Sequence, residues 1–129
     1  MIRAALFLTL AGAASAAPSP AFFRALHFVE TSGRHGPILG DNGAALGPLQ
    51  IHRAYHRDSG VGGDYSNCAD LAYSRQVVAA YLKRFAPKAW ANGDAVTLAR
   101  VHNGGPAGAQ KRATLAYAER VKRAMGGAR

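Results

Sequence analysis

Five glycines fall between Gly33 and Gly47, and this tract constrains the chain more than any other feature. Glycine costs a helix about 1 kcal/mol per position relative to alanine, so the helical segments on either side must be joined by irregular chain. The tract reads as turns. Asp41-Asn42-Gly43 is a strong turn signal, and a short hairpin fits across Ile38-Leu39 and Ala44-Ala45. Glu30 precedes the tract and Asp41 lies within it; no other acidic residue occurs before Asp58. Two carboxylates placed on either side of a turn-rich loop are what glycoside hydrolysis needs. One protonates the leaving oxygen and the other stabilises or attacks the sugar cation.

Ser19-Pro20 pairs an N-cap residue with proline at the first helical position. A helix follows with Phe22, Leu26 and Val29 on one face and Phe23 beside them, ending at Gly33. Glu30 then sits in the last turn, where the helix dipole is negative and disfavours an anion. Partial burial beside Phe28 and Val29 would act in the same direction. A carboxyl that keeps its proton suits a general acid; a solvated surface glutamate is the other reading of this helix alone. Asp41 likewise reads either as the second carboxylate or as a plain turn residue.

Beyond Gly47-Pro48 a short helix is predicted over residues 49–57, with Ile51 and Tyr55 at i, i+4. A Gly-rich loop runs over 59–67. Asn67 is the expected cap of a long helix over 68–86, with Leu71, Val78, Leu82 and Phe85 as its apolar stripe and Pro87 after it. Asp94 caps a helix over 95–102 that stops at Asn103-Gly104-Gly105-Pro106. Thr114 opens the last helix, which passes through Tyr117 and Val121 to Met125 and ends at Gly126-Gly127. The expected fold class is α+β, predominantly α-helical, with at most a small β-hairpin.

Arg3, the apolar run from Ala4 to Ala14 and the Ala14-Ser15-Ala16 site read as a signal peptide over residues 1–16. That leaves one domain over 17–129, secreted or periplasmic. The apolar run is too short for a good membrane span, and no other stretch approaches one. Lys and Arg number 16 against 7 Asp and Glu, a net charge of +9, of which Arg3 carries one. Such a surface attracts polyanions, whether cell-wall polymers, anionic membranes or nucleic acid, and charge alone does not choose among them. Cys68 is the sole cysteine, so no internal disulfide supports the fold. A helix N-terminus would favour its thiolate, but no spaced partner marks a nucleophile, and a small buried thiol is expected.

His52 and His56 have metal-ligand spacing at i, i+4. Arg53 stands where the zincin pattern has glutamate, and Arg57 adds a second cation, so no metal is expected. There is no G-x-S-x-G elbow and no phosphate-binding loop.

Several blocks together carry a resemblance. Val29-Glu30-x-Ser32-Gly33, an aspartate in a turn, and Gly47-Pro48-Leu49-Gln50-Ile51 resemble the invertebrate-type lysozyme (destabilase) family. So do Tyr81-Leu82-Lys83-Arg84-Phe85 and Ala99-Arg100-Val101-His102-Asn103-Gly104-Gly105-Pro106. The similarity runs from about Phe22 to Val121. It implies a lysozyme-like fold, Glu30 as general acid, Asp41 as the second catalytic carboxylate, and groove residues at Gln50, Tyr55, His102, Asn103 and Gly104. The implied activity is hydrolysis of β-1,4 glycosidic bonds in peptidoglycan or a chitin-like polymer at an anionic cell wall, without cofactor and without nucleic acid as a partner. Some relatives also act as isopeptidases; Ser32 and several histidines are available here, but no serine–base pairing is fixed by the sequence. The family's animal members are dense in cysteine, unlike this chain.

The His102 block fits that assignment physically. Glycines after a helix let a sugar ring approach the backbone closely, and Asn103 can both donate and accept. An ordinary helix stop has the same composition. Two other functions remain open at this level: a lytic transglycosylase, which uses a single catalytic glutamate, and a non-enzymatic cationic antimicrobial or polyanion-binding protein.

Overall fold

The structure is a computed structural model that describes residues 17–127; the signal peptide expected over 1–16 lies outside the described residues. Six α-helices and a three-stranded sheet are formed among those residues. Helix α1 (Pro20–Thr31) begins with proline in its first turn and ends at Ser32, which adopts a left-handed conformation with φ 55°. The phenylalanine at position 22 and Leu26 are fully buried, as their spacing predicts.

The loop that follows folds into an antiparallel meander. Strand β1 (Leu39–Gly40) pairs with β2 (Ala45–Leu46), and β2 pairs with β3 (Ile51–His52). Leu39 faces Leu46, and Leu46 faces Ile51. The hairpin is therefore present, one residue later than expected, and a third strand extends it. That third strand corrects the helix expected over 49–57: residues 51–52 are extended, and helix α2 (Arg53–Ser59) starts only after them. Tertiary pairing with β2 outweighs the i, i+4 spacing of Ile51 and Tyr55.

The Gly47-Pro48-Leu49-Gln50-Ile51 block is the hinge of this meander. A Cβ at residue 47 would lie 1.8 Å from the Cys68 carbonyl oxygen, and φ there is +84°, so no other residue fits. Thr31 Oγ1 donates to the Pro48 carbonyl at 2.9 Å in a buried hydrogen bond that ties the end of α1 to the block. Leu49 is fully buried. Gln50 is itself left-handed, with φ 54°.

Helix α3 (Leu71–Phe85) starts later than the sequence suggests. Asn67 falls inside a 3₁₀ turn over Tyr65–Ala69 that Asp64 caps, and Asp70 caps α3 by accepting from the Tyr73 amide at 2.9 Å. Pro87 does not merely stop α3. It occupies the first turn of another helix, α4 (Pro87–Asn92), the position that a residue without an N–H tolerates best. Helix α5 (Ala95–Gly104) and α6 (Leu115–Met125) complete the fold. Helix α6 packs on both α1 and α5.

Leu26, Leu49, Val77, Leu82, Leu98 and Val121 bring these elements into one core. Cys68 belongs to it, and burial pushes its thiol up to about 11. No helix among the described residues is long and apolar enough to cross a membrane.

Because the Gly47 contact is backbone against backbone, Gly47→Ala should destabilise the fold by roughly 2 kcal/mol or more, combining overpacking with left-handed strain. Chemical denaturation of the two proteins measures it. A loss under about 0.5 kcal/mol, typical of a surface change, would show that the approach is looser than described.

Candidate active site

A cleft of about 420 Å³ opens between α1, the meander, α2, α5 and α6. Its walls include Glu30, Asp41, Gln50, Tyr55, His102 and Asn103, so six of the seven expected site residues meet in one place. The seventh, Gly104, does not line the cleft. The Thr114 methyl fills the space above it, and Lys111 Nζ donates to its carbonyl at 2.6 Å. Gly105 takes its place in the wall.

Glu30 lies in the last turn of α1 with its side chain 18% exposed. Phe28 does not help to cover it: that ring is 55% exposed and lines a separate groove between α1 and α6. The cover comes from other helices. Tyr117 on α6 donates its hydroxyl to Glu30 Oε1 at 2.6 Å. His102 on α5 places Nε2 at 3.5 Å from the same oxygen. Glu30 Oε2 has no hydrogen-bond partner among the described residues.

His102 is buried and is held from its far side. Its Nδ1 lies 2.8 Å from the Tyr55 hydroxyl, and Tyr55 in turn stacks on Tyr81 with ring centroids 3.6 Å apart. Burial, reinforced by Tyr81 and Glu30, holds the Tyr55 phenol well above its ordinary value of 10.0, so this hydroxyl keeps its proton. The hydrogen bond between the Tyr55 hydroxyl and His102 Nδ1 fixes the imidazole with Nε2 toward Glu30. Tyr55 thus orients His102 more than it forms a groove wall.

Asp41 opens the 3₁₀ turn Asp41–Gly43 with φ 49° and is 69% exposed on its side chain. His52 Nε2 donates to Asp41 Oδ2 at 2.8 Å. The turn is set from below by Gln50, whose Nε2 donates to the carbonyls of Ile38 at 3.1 Å and Gly47 at 3.0 Å. Gln50 Oε1 occupies the space where a Cβ at residue 40 would stand, 1.8 Å away. Any larger residue at position 40 would displace the Gln50 amide from the two carbonyls it holds.

His52, Tyr117, Arg120 and Val29 also line the cleft and were not among the catalytic or groove residues expected from the sequence. The His52–His56 spacing did not bring those rings together. His56 Nε2 instead donates to the Tyr73 hydroxyl at 2.8 Å. No group of three or more potential metal ligands is found among the described residues. Nor does a serine hydroxyl bond a histidine ring there: Ser59 Oγ donates to the His56 carbonyl and Ser74 Oγ to the Cys68 carbonyl.

This geometry has close relatives. Lysozyme 1 of Crassostrea virginica is 40% identical over 83 residues, which cover 63% of this chain and 45% of that protein. The lysozyme of Meretrix lusoria is 37% identical over 84 residues, covering 64% of this chain and 69% of the relative. Among solved structures, the lysozyme of Tapes japonica superposes with a TM-score of 0.70 at 32% identity, over 83% of this chain and 93% of that one. The chain belongs to the invertebrate-type lysozyme family. No family model matches it. The matched segment spans about half the length of the Crassostrea relative, while the structural match takes in nearly all of the Tapes lysozyme. Within this family, the small sheet and the helical frame are the expected lysozyme-like α+β fold.

The buried phenols give the site a pH signature. Burial and the neighbouring Glu30 hold Tyr117 well above 10.0. As pH rises through that value, unfolded phenols ionise while folded ones keep their protons. The folded state then binds more protons, so unfolding free energy falls with pH. Tyr117→Phe should make this alkaline loss shallower in melts between about pH 9 and pH 11. Identical slopes in variant and wild type would mean that the Tyr117 hydroxyl is not held as described.

Proposed function

We propose that the protein is an exported lysozyme that hydrolyses β-1,4 glycosidic bonds of peptidoglycan, with Glu30 as general acid and Asp41 as second carboxylate. The observation that carries this reading is the presence of both carboxylates in one cleft, in a member of a family whose relatives are named lysozymes.

The environments of the two carboxylates support different roles. Glu30 Oε1 is engaged by Tyr117 and faced by His102, which leaves Oε2 as the oxygen from which a general acid would deliver its proton. After transfer to the glycosidic oxygen, the Tyr117 hydroxyl and the His102 ring stabilise the new carboxylate in place. The same carboxylate then takes a proton from the water that completes hydrolysis. Asp41 is exposed and bonded to His52. Its role is at the oxocarbenium-like centre, either to attack it or to stabilise it. Gln50 fixes the turn that carries Asp41. Asn103 offers the cleft an amide able to donate and accept to an N-acetyl or hydroxyl group. The leader-like residues 1–16 support export, and the net charge of +9, of which Arg3 in that leader carries only one, supports adsorption to an anionic wall.

Glu30→Gln keeps the shape and removes the transferable proton. Turnover should fall by roughly 10² or more, read by clearing of a peptidoglycan suspension; near wild-type clearing would sink the role of Glu30, and damage to cells by a wild type that clears no peptidoglycan would favour a non-enzymatic cationic protein. Asp41→Asn should also lose most activity while glycan binding persists, and wild-type products should carry free reducing ends. A transglycosylase closes the sugar's own hydroxyl on the cation and needs no second carboxylate. Mass spectrometry showing products lighter by one water, with an active Asp41→Asn variant, would move the protein to that class.

A further inference from the structure

Arg120 is a cleft residue whose charge the reaction outlined above does not use. It lies on α6 three residues after Tyr117 and lines the same cleft. Its guanidinium sits 5.7 Å from the centroid of the Tyr117 ring, and it forms no ion pair among the described residues. The cleft carboxylates are already engaged, Asp41 with His52 and Glu30 with Tyr117. An exposed guanidinium with no ion-pair partner among the described residues thus stands beside the tyrosine that grips the reacting carboxyl.

The planar fork of arginine matches a carboxylate in two parallel hydrogen bonds. Chitin and peptidoglycan share a β-1,4 backbone and N-acetyl groups, which this cleft can meet with neutral donors and acceptors. They differ in charge. Each muramyl residue of peptidoglycan bears a lactyl group, ending either in a free carboxylate or in a stem peptide with carboxylates of its own. We propose that Arg120 binds a carboxylate carried by a muramyl residue beside the scissile bond, and so selects peptidoglycan strands over chitin. This rests on the hydrolase reading for its catalytic consequence, while the binding consequence stands by itself.

The test compares three glycans of equal length: a peptide-free muramyl oligosaccharide, the same strand with stem peptides, and a chitooligosaccharide. Wild type, Arg120→Gln, Arg120→Lys and the charge-matched Lys88→Gln on the exposed face of α4 are assayed for kcat and KM. Binding is measured by calorimetry with the same substitutions in a Glu30→Gln background. The ratio of kcat/KM for the peptide-free muramyl strand over the chitooligosaccharide should fall roughly tenfold or more in Arg120→Gln, mainly through KM. Arg120→Lys should recover part of it, and Lys88→Gln should leave the ratio at the wild-type value. A fall confined to the peptide-bearing strand would assign the contact to a peptide carboxylate instead of the lactyl one. Equal falls on all three glycans would overturn the proposal and make Arg120 a support for Tyr117; so would a ratio that does not move. If wild type cleaved no glycan, the hydrolase reading would fail, and the muramyl-to-chitin binding ratio in the Arg120 variants would still decide the role of Arg120.

Discussion

The hydrogen bond from the Tyr117 hydroxyl to Glu30 Oε1 joins residues 87 positions apart, and the site depends on it. It exists only if α6 packs on α1 in one register, because Tyr117 is buried between them. A buried phenol without an acceptor would cost about 1–3 kcal/mol, so the bond specifies that register as well as using it. The same carboxyl is faced by His102 from α5, which is oriented by Tyr55 from α2, which stacks on Tyr81 from α3. The frame of the cleft is thus a chain of hydrogen-bonded and stacked side chains running through five helices. Cys68, the sole cysteine, is buried and takes no part in a cross-link.

On the opposite wall, the cleft is built from strained chain. Asp41, Asn42 and Gln50 all hold positive φ without being glycine, each at a cost of order 1 kcal/mol or more. Hydrogen bonds offset that strain. Gln50 donates to two carbonyls of the loop, and Thr31 clamps the Pro48 carbonyl to the end of α1. The result is an exposed carboxylate bonded to His52, in the same cleft as one that is mostly covered and gripped by Tyr117. Two identical chemical groups acquire different tasks from such a difference in surroundings.

Local features of the site were legible in the sequence. Glu30 in a last helical turn, Asp41 in a turn and the glycine-flanked stop after His102 follow from caps and punctuation, which act over a few residues. The resemblance added the grouping. What stayed hidden is long-range. Tyr117 reads as a core position of an amphipathic helix, and nothing in its spacing tells that its hydroxyl reaches the other end of the chain. The placement of His52 depends on a two-residue strand, too short to leave a periodic signal, so its ring goes to Asp41 and not toward His56. Phe28 was expected to cover Glu30 by adjacency, but neighbours in sequence on a helix point to different faces. Gly104 and Gly105 look alike in sequence; only the packing of Thr114 separates the structural glycine from the one in the cleft.

The proposed reaction requires Glu30 and Asp41 to flank one sugar ring in this cleft. A crystal structure of the Glu30→Gln variant with a muramyl oligosaccharide spanning the cleft tests it most directly. The expected result places the scissile oxygen within about 3 Å of the residue-30 amide, in hydrogen-bond range, with Asp41 on the opposite side of the adjoining ring. A glycan bound with its scissile oxygen remote from residue 30, or with Asp41 turned to solvent away from the sugar, would contradict it.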